Sequence, residues 1–321
     1  MNILWIHNFN PKIKNSGVFM HQAYDDIKHR YADKCNITLF YIGNLRNIGE
    51  FTRALLDIRK ESKKYDILHA QFGSACGLVG AFSNAKYNFV TLRGSDWHYS
   101  KIGNIKKILH SFTQGLITRL ILFRYDKIIT VSHRMANEVS FYVNKEKIYV
   151  IPSPVDIKKF YPINRVEARK KLNLDQNKKY FLYSVVDNKK LIKRPWFINA
   201  LKEHLIDGVE IITVNNIDHD EMNWFYNAVN AILLPSIHEG WPNVVKEAML
   251  CNTPFIATNV GDLKEIALKT KNCFILNPEL TLWIDVLNSY QDESCNLRQF
   301  ITWMSQDNLN DELYNQYLKI K

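Results

Sequence analysis

The residues best equipped for chemistry lie in one stretch, Leu234-Pro235-Ser236-Ile237-His238-Glu239-Gly240-Trp241-Pro242-Asn243-Val244-Val245-Lys246-Glu247-Ala248-Met249. An apolar run gives way to a Glu-Gly turn and then to a helical pattern. Pro242 suits the first helical turn, where its missing N–H costs nothing. The N–H groups of Asn243, Val244 and Val245 are then left free, and with the helix dipole behind them they form an anion site. Gly240 lets the backbone come close to a ligand. Glu239 stands before the helix and Glu247 inside it. An acid beside a diphosphate would repel it, so Glu247 reads as a partner for a hydroxyl. An anion held by amides, with hydroxyls held by flanking acids, describes a nucleotide-sugar.

Elements able to position this stretch surround it. Short apolar runs at 3–7, 37–42, 67–70, 88–92, 127–131 and 148–151 are separated by amphipathic stretches such as 51–63 and 133–143. Strands alternating with helices of that length predict βαβ units and a parallel sheet. The first strand leads to Ser16-Gly17, where such folds carry a ligand-facing loop. Pro152, Pro154 and Pro162 interrupt helix and strand alike, so that segment reads as a linker. Beyond it the alternation restarts, with strands at 180–186, 209–214, 231–234, 255–258 and 274–276. Helices are expected at 195–204, 221–228, 244–250 and 263–268, and one or two closing helices after 297. The expected fold class is α/β, with two Rossmann-like doubly wound domains at 1–155 and 156–300 and a closing helix at 301–321. The two would face a central cleft at the carboxyl ends of their sheets, where a ligand belongs.

Further motifs accompany the first. Glu239-Gly240-x-Pro242-Asn243-Val244-x2-Glu247-Ala248-Met249 is followed by Pro254-x-Ile256-Ala257-Thr258-x2-Gly261-x3-Glu265-Ile266. Upstream stand Asp126-Lys127-Ile128-Ile129-Thr130-Val131-Ser132 and Lys147-Ile148-x-Val150-Ile151-Pro152, through Val155-Asp156 to Phe160-x-Pro162. From about residue 126 to 276 the pattern resembles the retaining glycosyltransferases of family 4, which have the GT-B fold. The Glu-x7-Glu signature of that family falls on Glu239 and Glu247.

The resemblance implies that Glu239 contacts the transferred sugar and Glu247 the ribose of the nucleotide. It implies that Gly240, Trp241 and the amides around Asn243 and Val244 bind sugar hydroxyls and diphosphate. Lys193 and Arg194 would neutralise the diphosphate, Asn216 would face the base, and Gly17 would border the donor. Catalysis then falls to Glu239, Lys193 and Asp96. Breaking the anomeric bond builds negative charge on the leaving group, and a fixed donor aimed at it lowers the barrier by ~3–4 kcal/mol. No metal and no cofactor are expected beyond the nucleotide-sugar substrate, with UDP the favoured nucleotide. The acceptor implied is a lipid-linked or polysaccharide glycan of the bacterial surface, such as lipopolysaccharide or capsule.

The acceptor side departs from the family pattern. Where the family has T-x-H-G-x-D, this chain reads Thr91-Leu92-Arg93-Gly94-Ser95-Asp96-Trp97-His98. Arginine cannot serve as a base at neutral pH. Arg93, Asp96 and His98 stand as acceptor-binding candidates, with Asp96 or His98 in the acceptor step or Arg93 on an anionic acceptor. A structural Arg93–Asp96 salt bridge is the competing reading. Asp218-His219-Asp220-Glu221 offers either a metal-holding Asp-x-Asp or, as preferred here, an N-cap with a capping-box glutamate. Two other function classes stay open: a UDP-sugar 2-epimerase-type enzyme on the same fold, and a non-catalytic basic binding protein. A Rossmann dehydrogenase is disfavoured, because no G-x-G-x-x-G follows the first strand.

Composition narrows the setting. The 321 residues carry a net charge of +10, with 46% hydrophobic and 23% charged residues, a globular balance. Residues 1–160 hold 24 Lys and Arg against 12 Asp and Glu, and the remainder 18 against 20, so the excess lies wholly in the first half. Cys35, Cys76, Cys251, Cys273 and Cys295 are scattered, which disfavours a disulfide framework or a structural zinc site. No secretory leader and no membrane span are read, so a cytoplasmic protein is expected, peripheral at the inner membrane, with no nucleic-acid partner. The segment 102–124 has no acid, and Ile105, Ile108, Leu109, Phe112, Leu116, Leu120 and Phe123 recur at helical spacing among Lys101, Lys106, Lys107, Arg119 and Arg124. Such a helix either lies on an anionic membrane surface or packs its apolar face into the core.

Overall fold

The computed structural model describes every residue except Pro11, 13–16, Lys101, 186–190, Asn216 and Lys321. The chain divides into two units, Met1–Pro154 with Gln306–Lys321, and Val155–Ser305. The first contains β1 (Asn2–His7), α1 (Val18–Arg30), β2 (Asn36–Tyr41), α2 (Ile48–Glu61), β3 (Ile67–Ala70) and α3 (Ser74–Ala81). It continues with β4 (Tyr87–Leu92), α4 (Ile105–Ile121), β5 (Lys127–Thr130), α5 (His133–Val139) and β6 (Ile148–Val150). Its sheet has the order β2-β1-β3-β4-β5-β6, and every pairing is parallel. The second unit runs through α6 (Arg165–Lys171), β7 (Lys179–Val185), α7 (Pro195–Lys202), β8 (Val209–Asn215), α8 (Met222–Ala228) and β9 (Ala231–Leu234). Then follow α9 (Asn243–Leu250), β10 (Phe255–Ala257), α10 (Leu263–Ala267), β11 (Phe274–Ile275) and α11 (Leu280–Ser289). Its sheet is again all parallel, in the order β11-β10-β9-β7-β8.

Both sheets follow from their apolar runs. All four residues of β3 and of β9 are buried, as parallel strands covered on both faces require. In each unit the first strand has a partner on either side, β2 and β3 around β1, β8 and β9 around β7. The order in which strands are added therefore reverses beside it, the switch point where sheets of this kind take ligands. The expected strands end within a residue or so of the observed ones.

The last helix, α12 (Gln306–Leu318), belongs to the first unit. Tyr314 stacks on Tyr31 with ring centroids 3.8 Å apart, and Arg30 pairs with Asp311 at 2.7 Å. Deeper in, the Trp5 indole N–H donates to the Tyr317 hydroxyl at 2.9 Å, and that hydroxyl lies 2.5 Å from His69 Nδ1. His69 Nε2 is 2.7 Å from the Thr91 hydroxyl. Burial pushes the His69 pKa down to about 3, so the ring stays neutral and the chain of polar groups is satisfied without charge. His69 is thus a core histidine tying α12 to β1, β3 and β4.

Several helices had no sequence signal. In α3, Ser-Ala-Cys-Gly-Leu-Val-Gly-Ala, six of the eight residues are buried, so no polar face exists to create a period. α4 shows the opposite difficulty, a clear stripe whose destination the period does not reveal. It meets α3 through the small buried residues Gly115 and Thr118 together with Ile121. A Cβ on Gly73 or Gly77 would come within 2.9 Å of Thr118 or 2.8 Å of Ile121. Ile105, Leu109, Phe112, Leu116 and Leu120 of α4 are instead exposed, so this part of the stripe does not pack into the core. All five cysteines are free thiols, four of them buried. Among the described residues no helix is long and apolar enough to cross a membrane.

Candidate functional site

The candidate donor site of the second unit is built from the segments after β7 and β9. Among the described residues after β7, a 3-10 turn, Leu191–Lys193, leads to Arg194, whose φ of 52° is left-handed. That conformation costs a non-glycine residue about 1–2 kcal/mol, and α7 starts directly from it with Pro195 at its first position. After β9 the chain runs through 235–242. The two loops are stitched together: Ile237 N–H donates to Ile192 C=O at 2.9 Å, and Arg194 Nη1 donates to Pro235 C=O at 2.7 Å. This places the Lys193 ammonium in an ion pair with Glu239, both side chains mostly buried. Arg194 Nη1 is spent as a clamp on the loop.

The turn at 239–243 leads into α9. Pro242 is extended (φ −70°, ψ 117°) and caps the helix, rather than lying in its first turn as expected. The Val245 N–H, expected free, donates to Pro242 C=O at 3.2 Å. The N–H groups of Asn243 and Val244 make no hydrogen bond among the described residues, so the anion site is two amides wide, not three. Trp241 is buried and Asn243 exposed. Gly261 (φ 52°) backs the turn closely: a Cβ there would lie 2.8 Å from Gly240 C=O.

Glu247 is buried, with partners that sequence spacing did not announce. The Tyr226 hydroxyl donates to Oε2 at 2.7 Å, and His219 Nε2 meets Oε1 at 3.1 Å. The hydrogen bond to Glu247 raises the His219 pKa against the opposing effect of burial. Because the folded value lies above the unfolded one, the pair stabilises fully below about pH 6.5 and fades as pH rises through the raised value. Accordingly, wild type should melt above His219→Gln near pH 6 by at most about 2–4 °C, with the gap closing toward pH 9. A gap that widens with pH in differential scanning fluorimetry would overturn this assignment. Beside Glu247, burial pushes the fully buried Lys246 down to about pH 7 against the pull of that carboxylate. The expected cap at Asp218 is corrected: α8 begins at Met222 with no side-chain cap, and Asp218 Oδ1 accepts from Asp220 N–H at 3.0 Å. Asp220 itself pairs with Lys159.

In the first unit, Gly17 (φ 70°) caps α1, and a Cβ there would strike the Phe9 ring at 2.8 Å. Arg93 follows β4 and reaches toward the end of β3. Its Nε donates to Gln71 C=O and its Nη2 to Gln71 Oε1, both at 3.1 Å. The guanidinium lies 4.2 Å over the Phe19 ring of α1. Burial pushes its pKa down to about 10, still cationic at neutral pH. The structural Arg93–Asp96 salt bridge does not form as a guanidinium pair. The fully buried Asp96 carboxylate instead accepts from the N–H groups of Gly73 at 2.8 Å, Arg93 at 2.9 Å and Gly94 at 2.9 Å. Its lone pairs thereby shape the loop that carries Arg93. His98 lies 3.6 Å from Glu138 of α5, which also accepts from Trp97 Nε1 at 2.7 Å.

The structure thus gathers Lys193, Arg194, Glu239, Gly240, Trp241, Asn243, Val244 and Glu247 in one unit, and Gly17, Arg93, Asp96 and His98 in the other. Asn216 lies outside the described residues.

Comparison with known proteins gives the same division. The family model described as Glycosyltransferase Family 4 matches residues 18–159, and that described as Glycosyl transferases group 1 matches residues 185–286. An Escherichia coli protein named UDP-Gal:alpha-D-GlcNAc-diphosphoundecaprenol alpha-1,3-galactosyltransferase is 26% identical over 286 residues, 75% of this chain and 69% of its own. A Bacillus subtilis protein named as a teichuronic acid biosynthesis glycosyltransferase, TuaC, is 24% identical over 75% of this chain and 65% of its own, so the chain spans just under two thirds of that relative. Among solved structures, sucrose-phosphate synthase from Thermosynechococcus elongatus superposes with a TM-score of 0.77 at 17% identity, covering 99% of this chain and 98% of the other.

Proposed function

The chain belongs to the family 4-type glycosyltransferases of the GT-B fold, and from that premise we propose that it transfers a sugar from a UDP-linked donor, with retention, to a lipid-linked or polysaccharide acceptor in bacterial surface-glycan synthesis. The observation that carries the reading is the Lys193–Glu239 pair, at the start of the turn that leads to the Asn243 and Val244 amides, which take no hydrogen bond among the described residues. A cation and two donors there match a diphosphate, and Lys193 exchanges Glu239 for a phosphate oxygen when the donor binds. Glu239 is then released toward the sugar ring, where a carboxylate stabilises developing oxocarbenium charge. Glu247, oriented by Tyr226 and His219, takes the ribose hydroxyls.

On the acceptor side Arg93 is cationic and Asp96 is spent on backbone amides. The departing phosphate oxygen is therefore the base for the acceptor hydroxyl. Attack from the face the leaving group vacates yields retention. Arg93, anchored by Gln71 and Phe19, holds an anionic group of the acceptor. The name of the Escherichia coli relative supports a UDP donor and a lipid-linked acceptor. Charge neutralisation by Lys193, Arg194 and the start of α9 makes the reaction metal-independent.

A thermal-shift screen of UDP-, GDP- and dTDP-sugars, repeated with chelator, tests the donor. A UDP-sugar at about 100 times its Kd should add about 2.7 kcal/mol of stability whether or not chelator is present. NMR of the product reports the anomeric configuration. An absence of any shift with nucleotide-sugars, or an inverted product, would refute the reading.

A further inference from the structure

The amino end of the first sheet, away from every residue assigned so far, holds a cavity of about 600 Å³, the size of a site for a small organic molecule. Its walls come from segments far apart in sequence but within one unit. Lys34 stands in the turn before β2, Asp66 and Lys86 immediately before β3 and β4, Tyr87 at the start of β4, and Leu318 and Ile320 at the end of α12 and just after it. Tyr314 and Tyr317 of α12 also line it. Both rings are already fixed, Tyr314 by its stack on Tyr31 and Tyr317 by the bonds of its hydroxyl to Trp5 and His69, so a ligand need not order them. The length of β4 separates Tyr87 from Arg93, which puts the cavity about 20 Å from the acceptor-side residues, at the opposite edge of the sheet.

The lining combines three chemistries. Lys34 and Lys86 are exposed, and neither ammonium has a carboxylate partner among the described residues; Lys86 Nζ stands 5.3 Å from the Tyr87 ring centroid. The acids that begin the neighbouring strands are engaged by backbone: Asp66 Oδ2 accepts from Asn2 N–H and Asp126 Oδ2 from Asn88 N–H, each at 2.8 Å. Asp66, the one of the two that lines the cavity, keeps Oδ1 without a partner among the described residues. Tyr87, Leu318 and Ile320 supply apolar surface.

Each part selects against a class of ligand. Two ammonium groups call for an anion, and lysine meets phosphate as a point charge. A carboxylate oxygen accepts from hydroxyls and repels an anion set against it, so the ligand carries hydroxyl groups beside its charge. The apolar wall needs a body to cover it, which inorganic phosphate lacks, and a fatty acid offers Asp66 no donor.

We propose that this cavity binds a phosphate ester of a sugar, its phosphate on Lys34 and Lys86, its hydroxyls on Asp66, and its less polar part against Tyr87 and Leu318. A nucleotide and a hexose phosphate share that chemistry. The ligand touches α12 and the sheet at once, so its binding also favours the docked position of α12.

Calorimetry of the full-length Lys193→Ala chain, in which the proposed donor site is weakened, tests this with uridine 5′-monophosphate, glucose 1-phosphate and inorganic phosphate. One ester or the other should bind about tenfold or more tighter than inorganic phosphate, and which one it is assigns a nucleotide or a sugar phosphate. Adding Lys34→Gln/Lys86→Gln should weaken that binding by about tenfold or more, the loss expected for charge-assisted hydrogen bonds. Adding Leu318→Glu instead sets a charge of the wrong sign at the wall and should abolish it. All three wall residues are exposed, and unchanged melting temperatures without ligand check folding. Esters that bind no better than inorganic phosphate, or either wall variant binding the ester like its parent, would overturn the proposal. The donor assignment fails on the transfer rate of Lys193→Ala and this proposal on ester binding by the wall variants, so the two failures are distinct.

Discussion

Lys193→Ala should lower transfer by about 10²–10³-fold, the usual loss when a preorganised group facing a leaving oxyanion is removed. The effect is expected mainly in kcat, because charge on the diphosphate grows as the anomeric bond breaks, so the ammonium is worth more in the transition state than in the bound donor. Stability should change by no more than about 1 kcal/mol, since the pair with Glu239 keeps part of its surface in water. Lys193→Arg should recover part of the rate by restoring charge without the compact ammonium. Glu239→Gln should also be slow, and the double variant should fall short of the summed losses because the two groups share one interaction. Lys202→Ala, an exposed lysine on α7 bonded to Thr213, supplies the control. Steady-state kinetics in which Lys193→Ala runs within twofold of wild type would remove this lysine from the chemistry.

The proposed donor half of this site could be read from the sequence because most of it lies in one contiguous stretch. Residues 231–250 pass from a fully buried strand through Glu239 and Gly240 into a helix that carries Glu247, so local periodicity was enough to align them. Lys193 could be placed only through resemblance, because its meeting with Glu239 depends on β7 and β9 lying side by side. What escaped was long-range or conformational. His219 and Tyr226 reach Glu247 from α8 and the segment before it, and neither residue type announces a carboxylate partner. Arg194 became a clamp through a positive φ that its residue type does not suggest. The loop-forming role of Asp96 also escaped, since only the three N–H groups pointing at it reveal it. In α4 the stripe was visible but its orientation was not, since a helical period is the same whether the stripe faces core or solvent.

The sharpest test of how that donor turn is held lies outside it. Gly261→Ala should reduce kcat/KM by about 10²-fold although residue 261 presents no side chain to any ligand, because misplacing a positioning element by about 1 Å costs that much. The added Cβ would lie 2.8 Å from Gly240 C=O and 3.6 Å from Trp241 Cα, both backbone atoms that cannot swing aside. The turn from 240 to 242 must shift, and with it the Asn243 and Val244 amides that start α9. A second cost arises from φ, because an alanine at 52° loses about 1–2 kcal/mol wherever it sits. Gly208→Ala separates the two. Gly208 has φ 82° and nothing within 4 Å of its Cβ position, so it carries the backbone strain without the collision. Both variants should melt lower than wild type, and only Gly261→Ala should lose donor affinity and rate. If the two variants were equally active by calorimetry with UDP-sugar and by transfer assay, the amides of the turn would not be the diphosphate cradle.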